Sequence, residues 1–223
     1  MRFYSSLRIG ALIAGVLSTA LVLGGQDQKT EPSAAPKAEG IPPRTAPTDY
    51  QFHAQAGTFT VAAEFTGHSV ATPESTLTTD DYVVIEVAVY GPAGARIKLS
   101  REDFALRVNG KKAVLPSQPY GLVVKNLKDP LLEPTASENK SKTSVGTGGQ
   151  SDAGSTPAPY RVPDAIRHAW GQQLQKLALP EGDRALPRAG LIFFTYRGKT
   201  DKIDSIELTY TGPAGPATLA LQP

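Results

Sequence analysis

Alternation of apolar and polar side chains is the feature that most restricts how this 223-residue chain can fold. In the run DDYVVIEVAVYG, Val83, Ile85, Val87 and Val89 fall on one face, and the run is rich in β-branched residues. A period of two residues is typical of a β-strand, and so many β-branched residues favour a strand in the middle of a sheet. The 21 glycines and 19 prolines also favour many turns over a helical protein.

Runs with the same period recur along the chain. Further strands are predicted in the segments GTFTVAAEFTG, ARIKLS, DFALRV, KKAVLP, GLIFFTYRG, KIDSIELTYTG and PATLALQ. Asn109 and Gly110 separate two of them and predict a hairpin turn of the primed type. Short strands in this number are best buried as two facing sheets, so we predict a mainly β fold, an immunoglobulin-like β-sandwich of about 7–8 strands.

The motif Gly-Pro-Ala-Gly occurs twice, at 91–94 and at 212–215. Each copy follows a long alternating run and precedes a shorter one. Proline in the second turn position and glycine in the fourth are typical of a type I turn. We predict that both copies form this turn and that each joins a pair of strands, with internal duplication as the alternative.

The first 25 residues differ from the rest of the chain. Arg2 and Arg8 are followed by a largely apolar, uncharged run at 9–25, a pattern typical of a secretory signal peptide. The alternative is an uncleaved N-terminal anchor helix formed by 9–25. Both alternatives predict an exported protein in the periplasm or cell envelope, or a secreted one. Because the chain has no cysteine, a lipid-modified lipoprotein and a disulfide scaffold are excluded.

Composition divides the remainder into segments. Residues 26–49 are polar and hold five prolines, which predicts an extended linker. The sandwich is predicted at 50–223 and is interrupted by an insertion at 121–189. Within this insertion, 133–160 has almost no apolar residues and is predicted to be flexible. The segment 163–178 is predicted to be an amphipathic helix, since its apolar residues have helical spacing.

A candidate contact or helix-docking surface follows from two neighbouring aromatic residues. Phe193 and Phe194 share a predicted strand, so they must point to opposite faces of the sheet. One of them belongs in the sandwich core, and the other is covered either by the helix or by an external partner. The predicted surface consists of Phe193, Phe194, Tyr196, Arg197 and Trp170, the last on the apolar stripe of the helix.

The sequence predicts no catalytic, cofactor or metal site. His53, His68 and His168 lack the spacing of a metal site, and no nucleophile or phosphate-loop motif has its required context. The formal net charge of +2 comes from the two arginines near the N-terminus. No basic stripe interleaved with aromatic residues occurs elsewhere, so we predict no nucleic-acid binding.

The segments DYVVIEVAVYGPAGARIKLSREDFALRVNGKKAVLP and LPEGDRALPRAGLIFFTYRGKTDKIDSIELTYTGPAGPATLALQP, within roughly 80–121 and 180–223, carry a family resemblance. They resemble exported bacterial proteins of unknown function with DUF4352-type immunoglobulin-like domains, and in particular envelope proteins of soil acidobacteria. The resemblance implies the immunoglobulin-like fold and a location behind a signal peptide or anchor helix. It implies no catalytic residues.

These observations predict an exported, non-enzymatic β-sandwich module of the bacterial cell envelope that binds an unidentified protein or envelope component. Contact with the membrane is expected only through an uncleaved N-terminal segment. Two alternatives stay open. One is a hydrolase of envelope polymers, and the other is an accessory assembly or sensory protein that uses the insertion loop at 125–160 as its contact element.

Overall fold

The computed structural model describes residues 38–132 and 162–223. The predicted signal or anchor segment at 1–25 and the predicted flexible segment at 133–160 lie outside these ranges. The fold is mainly β, as predicted, and the helices in it are short. None of the helices formed by the described residues has the length and apolar character needed to cross a membrane.

The described residues form thirteen strands and two α-helices. The strands are β1 (Phe52–Ala56), β2 (Phe59–Gly67), β3 (Ser69–Ala71), β4 (Thr76–Thr79), β5 (Tyr82–Tyr90), β6 (Arg96–Leu99), β7 (Phe104–Val108), β8 (Leu115–Gln118), β9 (Leu127–Lys128), β10 (Gly182–Ala185), β11 (Arg188–Thr195), β12 (Ile206–Tyr210) and β13 (Ala217–Leu221). The helices are α1 (Tyr120–Val123) and α2 (Asp164–Leu177). Single 3-10 turns lie at Pro47–Asp49, Arg101–Asp103, Val124–Asn126 and Thr200–Lys202.

Eight strands form one antiparallel sheet in the order β1-β2-β5-β11-β8-β7-β12-β13. β8 pairs with β11 on one side and with β7 on the other, so it joins the two halves. Residues from both halves share one apolar core. At the far ends, Gln51 Nε2 next to β1 donates a hydrogen bond of 3.1 Å to the Gln222 carbonyl after β13. The predicted β-sandwich is confirmed.

The remaining strands form two small sheets, β10-β6 and β3-β4-β9. β5 contributes Val83, Ile85, Val87 and Val89 to the sandwich core, as its alternation predicts. The opposite face of β5 and β11 is covered by α2, which confirms the predicted helix at 163–178 almost to the residue. β5 and β11 are therefore buried on both faces, and this explains why their sequences are apolar at nearly every position.

The prediction that both Gly-Pro-Ala-Gly copies make the same turn is wrong. At 212–215 the Gly215 N–H donates to the Gly212 carbonyl at 3.0 Å, with proline in the second position as predicted. At 91–94 the Ala95 N–H donates to the Pro92 carbonyl at 2.9 Å, so the turn starts one residue later. The third position of this turn is then Gly94, whose φ of 76° suits a type II turn.

The two turns differ because they lead to different places. The second copy returns the chain to pair with the preceding strand, since β12 and β13 form a hairpin. The first copy carries the chain out of the main sheet, because β6 pairs with β10 and not with β5. It therefore does not join a strand pair, contrary to the prediction.

The structure also differs from the sequence prediction at two segment boundaries. The folded part starts before residue 50, because the Gly40 N–H donates to the Lys176 carbonyl and the Ile41 N–H to the Ala189 carbonyl, both at 2.9 Å. The second half of the predicted linker at 26–49 thus lies against the domain. The predicted insertion at 121–189 contains β9, β10 and the start of β11, so regular pairing continues through parts of it.

Candidate functional site

The structure buries three of the five residues predicted as a contact or helix-docking surface. Phe194 is 0% exposed in the sandwich core, on the face opposite Phe193. Phe193 and Trp170 are 1% and 6% exposed and lie in one apolar cluster between β11 and α2. The helix therefore covers the second phenylalanine, and all three side chains are buried.

The other two predicted residues lie in the loop after β11. The Tyr196 ring stacks on His68 with 6.2 Å between centroids, and its N–H donates to the Asp81 carbonyl at 2.8 Å. Arg197 is exposed, with its Nε 2.9 Å from Asp81 Oδ1. Both residues secure the loop against the start of β5, next to the half-buried His68.

The histidines are dispersed. His68 places its ring nitrogens 2.7 Å from the Tyr82 carbonyl and 2.8 Å from the Gly198 carbonyl, so it bridges two loops. His53 and His168 are exposed on β1 and α2. In the parts of the chain that the structure describes, no three His, Asp or Glu side chains are grouped to hold a metal ion.

A cleft of about 540 Å³ lies beside β10 and is here called the β10 cleft. Its volume falls within the range of about 300–1,000 Å³ that is typical of ligand sites. It is lined by Ala38, Arg101, Gln118, Pro119, Tyr120, Gln175, Ala178, Leu179, Glu181, Gly182, Asp183, Arg184, Leu191, Ile192 and Phe193. These residues come from separate segments, which is why no sequence motif marks the cleft.

The floor of the cleft is apolar and is built where the chain leaves α2. After the helix ends, the Leu179 N–H donates to the Leu191 carbonyl at 3.0 Å, which holds this segment along the edge of β11. Gly190 permits the close approach, because a Cβ there would lie only 2.4 Å from the Leu179 Cα. Buried apolar residues of both segments then form the floor of the cleft.

One wall of the cleft carries charge. Arg101 Nη1 lies 2.7 Å from Glu181 Oε1, which also accepts the Arg101 N–H at 3.2 Å. Arg101 Nε is buried and has no hydrogen-bond partner among the described residues. The Arg184 Nε donates to the Glu181 carbonyl at 3.0 Å. Two arginines therefore line the wall, and one of them retains an unsatisfied buried donor.

The acidic groups of this wall are engaged by arginine. Asp183 Oδ2 accepts from Arg96 Nε at 3.0 Å and from Arg96 Nη2 at 2.8 Å. Glu181 is held by Arg101, as described above. The opposite wall is uncharged and consists of Gln118, Pro119 and Tyr120, where β8 leads into α1.

A second polar cluster, here called the Arg44 cluster, lies on the outer face of β2 and β5. Arg44 forms ion pairs with Glu64 and Glu86, which face each other across the two strands, the second at 3.4 Å. Its guanidinium carbon lies 4.3 Å from the centre of the Tyr50 ring, and its carbonyl accepts from the Tyr90 hydroxyl at 2.8 Å. The cluster thus fixes the segment before β1 to the sheet.

The Arg44 cluster shifts the pKa of its own members. Burial opposes the charge of Arg44, but the hydrogen bond to Glu64 and the charges of Glu86 and Glu64 outweigh it and raise the pKa of the guanidinium. Burial raises the pKa of the Tyr50 hydroxyl well above its usual value, and the nearby Glu86 charge adds to this effect. Burial also raises the pKa of Tyr90.

Similarity to known proteins is slight. No protein-family model matches the chain. No curated protein matches it. One distant structural neighbour is a protein of Bacillus subtilis subsp. subtilis str. 168 described as a putative lipoprotein, with 13% sequence identity and a TM-score of 0.36. The match covers 75% of this chain and 37% of the neighbour, so the matched part spans little more than a third of that protein's length. The resemblance to DUF4352-type domains and to acidobacterial proteins stays a prediction.

Proposed function

We propose that this chain is an exported, non-enzymatic binding module of the bacterial cell envelope, and that it holds its ligand in the β10 cleft. The observation that carries the proposal is the combination of an apolar floor with two arginines, Arg101 and Arg184, on one wall. Ligand sites typically combine a mostly apolar surface with a few polar groups that fix orientation. Arg101 and Arg184 are groups of this kind, since a guanidinium can pair with a ligand carboxylate.

The state of the carboxylates favours binding over hydrolysis. A general acid or base needs a carboxyl group that reaches the reacting atoms of a bound substrate. In the β10 cleft, Glu181 is held by Arg101 and Asp183 by Arg96, so both carboxylates stabilise the wall. These ion pairs give both carboxylates a structural role, which favours the binding alternative over the hydrolase alternative.

Export is supported by the sequence at 1–25, which has the charge and apolar pattern of a signal peptide or anchor. The resemblance to immunoglobulin-like envelope domains points the same way. The proposed location is the periplasm or cell envelope, or the medium after secretion.

An NMR titration tests the proposal. The full chain, with labelled methyl groups, is titrated with a panel of small amphipathic carboxylates and short acetylated peptides. We expect at least one probe to shift the methyl signals of Leu179, Leu191 and Ile192. The variant Ala178→Phe fills the floor and should abolish these shifts, whereas Ala220→Phe, on an exposed position of β13, should preserve them. Binding that survives Ala178→Phe in a protein with a normal melting curve would refute the β10 cleft as the site.

A further inference from the structure

The β10 cleft runs along an edge of β10 rather than over one of its faces. Gly182, Asp183 and Arg184 are consecutive, and all three line the cavity. Successive side chains of a strand point to opposite faces, so a cavity that touches three consecutive residues borders the strand's edge. β10 pairs with β6 alone, so this second edge has no strand partner among the described residues.

The register shows which backbone groups this edge presents. β10 and β6 are antiparallel, with Ala185 opposite Arg96, and just beyond them the Leu186 N–H donates to the Ala95 carbonyl at 3.0 Å. Directly opposed residues in an antiparallel pair alternate between bonded and non-bonded pairs. Because Leu186 bonds to β6, Arg184 and Gly182, two and four residues earlier, also bond to β6. Asp183 and Ala185 lie between them and turn their N–H and carbonyl groups to the outer edge.

We propose that the ligand of the β10 cleft is an extended peptide segment that adds to this outer edge as a further antiparallel or parallel strand. The inference rests on the proposed function, because it names the ligand class for the same cleft. Main-chain hydrogen bonds to Asp183 and Ala185 supply affinity, in the manner of strand addition to an exposed sheet edge. β10 has four residues, so about four peptide residues pair with it.

The walls define which side chains the peptide carries. One side chain faces the apolar floor formed by Leu179, Leu191 and their neighbours, and it must be apolar. An acidic group, either a side chain or the C-terminal carboxylate, complements the arginine wall. Arg184 donates through Nε to the Glu181 carbonyl. Its two terminal nitrogens form no hydrogen bond within the described part of the chain. A planar guanidinium with both terminal nitrogens available suits a carboxylate.

The unbound edge is protected by one weak contact. Arg96 Nη2 lies 3.4 Å from the Asp183 carbonyl, which is long for a hydrogen bond. Charged side chains over an edge are a common protection against uncontrolled strand pairing. Arg96 also bonds the Asp183 carboxylate at 2.8 Å, so it can release the carbonyl to a peptide without losing its ion pair.

Amide hydrogen exchange of the full chain tests this inference with the peptide Ac-Thr-Val-Glu-Val-Thr-NH2 as the probe. A saturating amount should slow exchange at Asp183 and Ala185 by about tenfold or more, because free edge amides become hydrogen-bonded. Exchange at Gly182 and Arg184, already bonded to β6, should change little. The same peptide with N-methyl groups on its valines and glutamate cannot pair as a strand and should not bind.

Matched variants separate the contribution of backbone hydrogen bonds to binding from the contribution of charge. Asp183→Pro removes the outward N–H and should abolish binding, whereas Asp183→Asn keeps this N–H and should retain it. Arg184→Gln should lower the affinity for the glutamate-containing peptide about tenfold. Replacing the peptide's glutamate with glutamine should lower its affinity for the unaltered protein by a similar factor. If Asp183→Pro fails to fold, the N-methylated peptide supplies the same test on the unaltered protein.

Two outcomes would overturn the inference of strand addition. One of them leaves the proposed function standing, and the other overturns it too. If the unmodified peptide shifts the Leu191 and Ile192 methyl groups while Asp183 and Ala185 exchange at their original rates, the cleft binds a ligand but not by strand addition. Equal binding of the N-methylated peptide leads to the same conclusion. If neither the peptide nor the wider probe panel affects any residue of the cleft, the proposed function fails as well.

Discussion

The Arg44 cluster and the β10 cleft use the same residue types to different ends. In the Arg44 cluster the guanidinium meets two carboxylates, an aromatic ring and the Asp49 carbonyl at 2.7 Å. In the cleft, Arg184 bonds through Nε to a carbonyl and forms no ion pair with a described residue. A satisfied cluster holds the chain in place, whereas one with unsatisfied donors next to a cavity can bind something else.

The variant Trp170→Ala is expected to cause the largest loss of stability. It should damage the cleft and leave the Arg44 cluster intact. Trp170 is buried between α2 and β11, and truncation of a buried aromatic side chain costs about 3–5 kcal/mol. Because α2 leads directly into the cleft floor, binding to the cleft should weaken too. Urea unfolding of the full chain measures the loss, and an unchanged midpoint would mean that α2 is not docked through this residue.

Arg44→Met is expected to have the next largest effect. It leaves Glu64 and Glu86 facing each other across β2 and β5 without a cation, and like charges directly opposite in a sheet are destabilising. The site is partly exposed, so we expect a loss of about 1–3 kcal/mol, between the values for surface and buried ion pairs. The ligand affinity of the cleft should not change. A loss of affinity with normal stability would reverse the roles assigned to the two regions.

High pH should weaken the Arg44 cluster more than the cleft. Burial raises the pKa of Tyr50 and Tyr90 in the folded state above the ordinary value of about 10. At high pH the folded protein thus keeps protons that the unfolded chain releases. The stability that these two hydroxyls contribute is complete below about pH 10 and is lost as the pH rises further. Tyr210, buried in the sandwich core, contributes in the same direction. In urea unfolding between about pH 8 and 11, Tyr50→Phe should have a shallower pH dependence than the unaltered chain, and an identical slope would contradict this assignment.

The smallest effect on stability is expected from Arg184→Gln. Its hydrogen bond to the Glu181 carbonyl lies at the surface, and substitutions of this kind usually change stability by no more than about 0.5 kcal/mol. Affinity for an acidic ligand should nevertheless fall, which is the opposite of the expectation for Arg44→Met. Thermal unfolding checks the first statement, and titration with the glutamate peptide checks the second. A large loss of stability with unchanged affinity would make Arg184 a structural residue.

The sandwich could be predicted from sequence where a strand is long enough to show its period. β5, β7, β12 and β13 alternate in sequence, and they alternate between buried and exposed or partly exposed positions wherever one face is open. Helix α2 shows its apolar stripe for the same reason. Five strands were not predicted, namely β1, β3, β4, β9 and β10. They have only two to five residues, which is too short for a clear period in sequence.

Neither polar region could be predicted, for related reasons. The segment at 38–49 has the proline content of a linker, and its attachment depends on single residues such as Ile41 and Arg44 that contact strands far along the chain. The β10 cleft joins residues from before β1 to β11, and its charged groups have no regular spacing. Local patterns report local structure, whereas both of these sites are formed by long-range contacts.

Site-specific photocrosslinking in intact envelopes shows whether the β10 cleft contacts another molecule. The full chain carries p-benzoylphenylalanine in place of Gln118, on the uncharged wall of the cleft, or in place of Thr218, on the exposed face of β13. We expect a discrete adduct from position 118 that disappears when Ala178→Phe fills the cleft, and no such adduct from position 218. Equal labelling at both positions, or an adduct at 118 that persists in the filled variant, would contradict the assignment of the β10 cleft as the binding site.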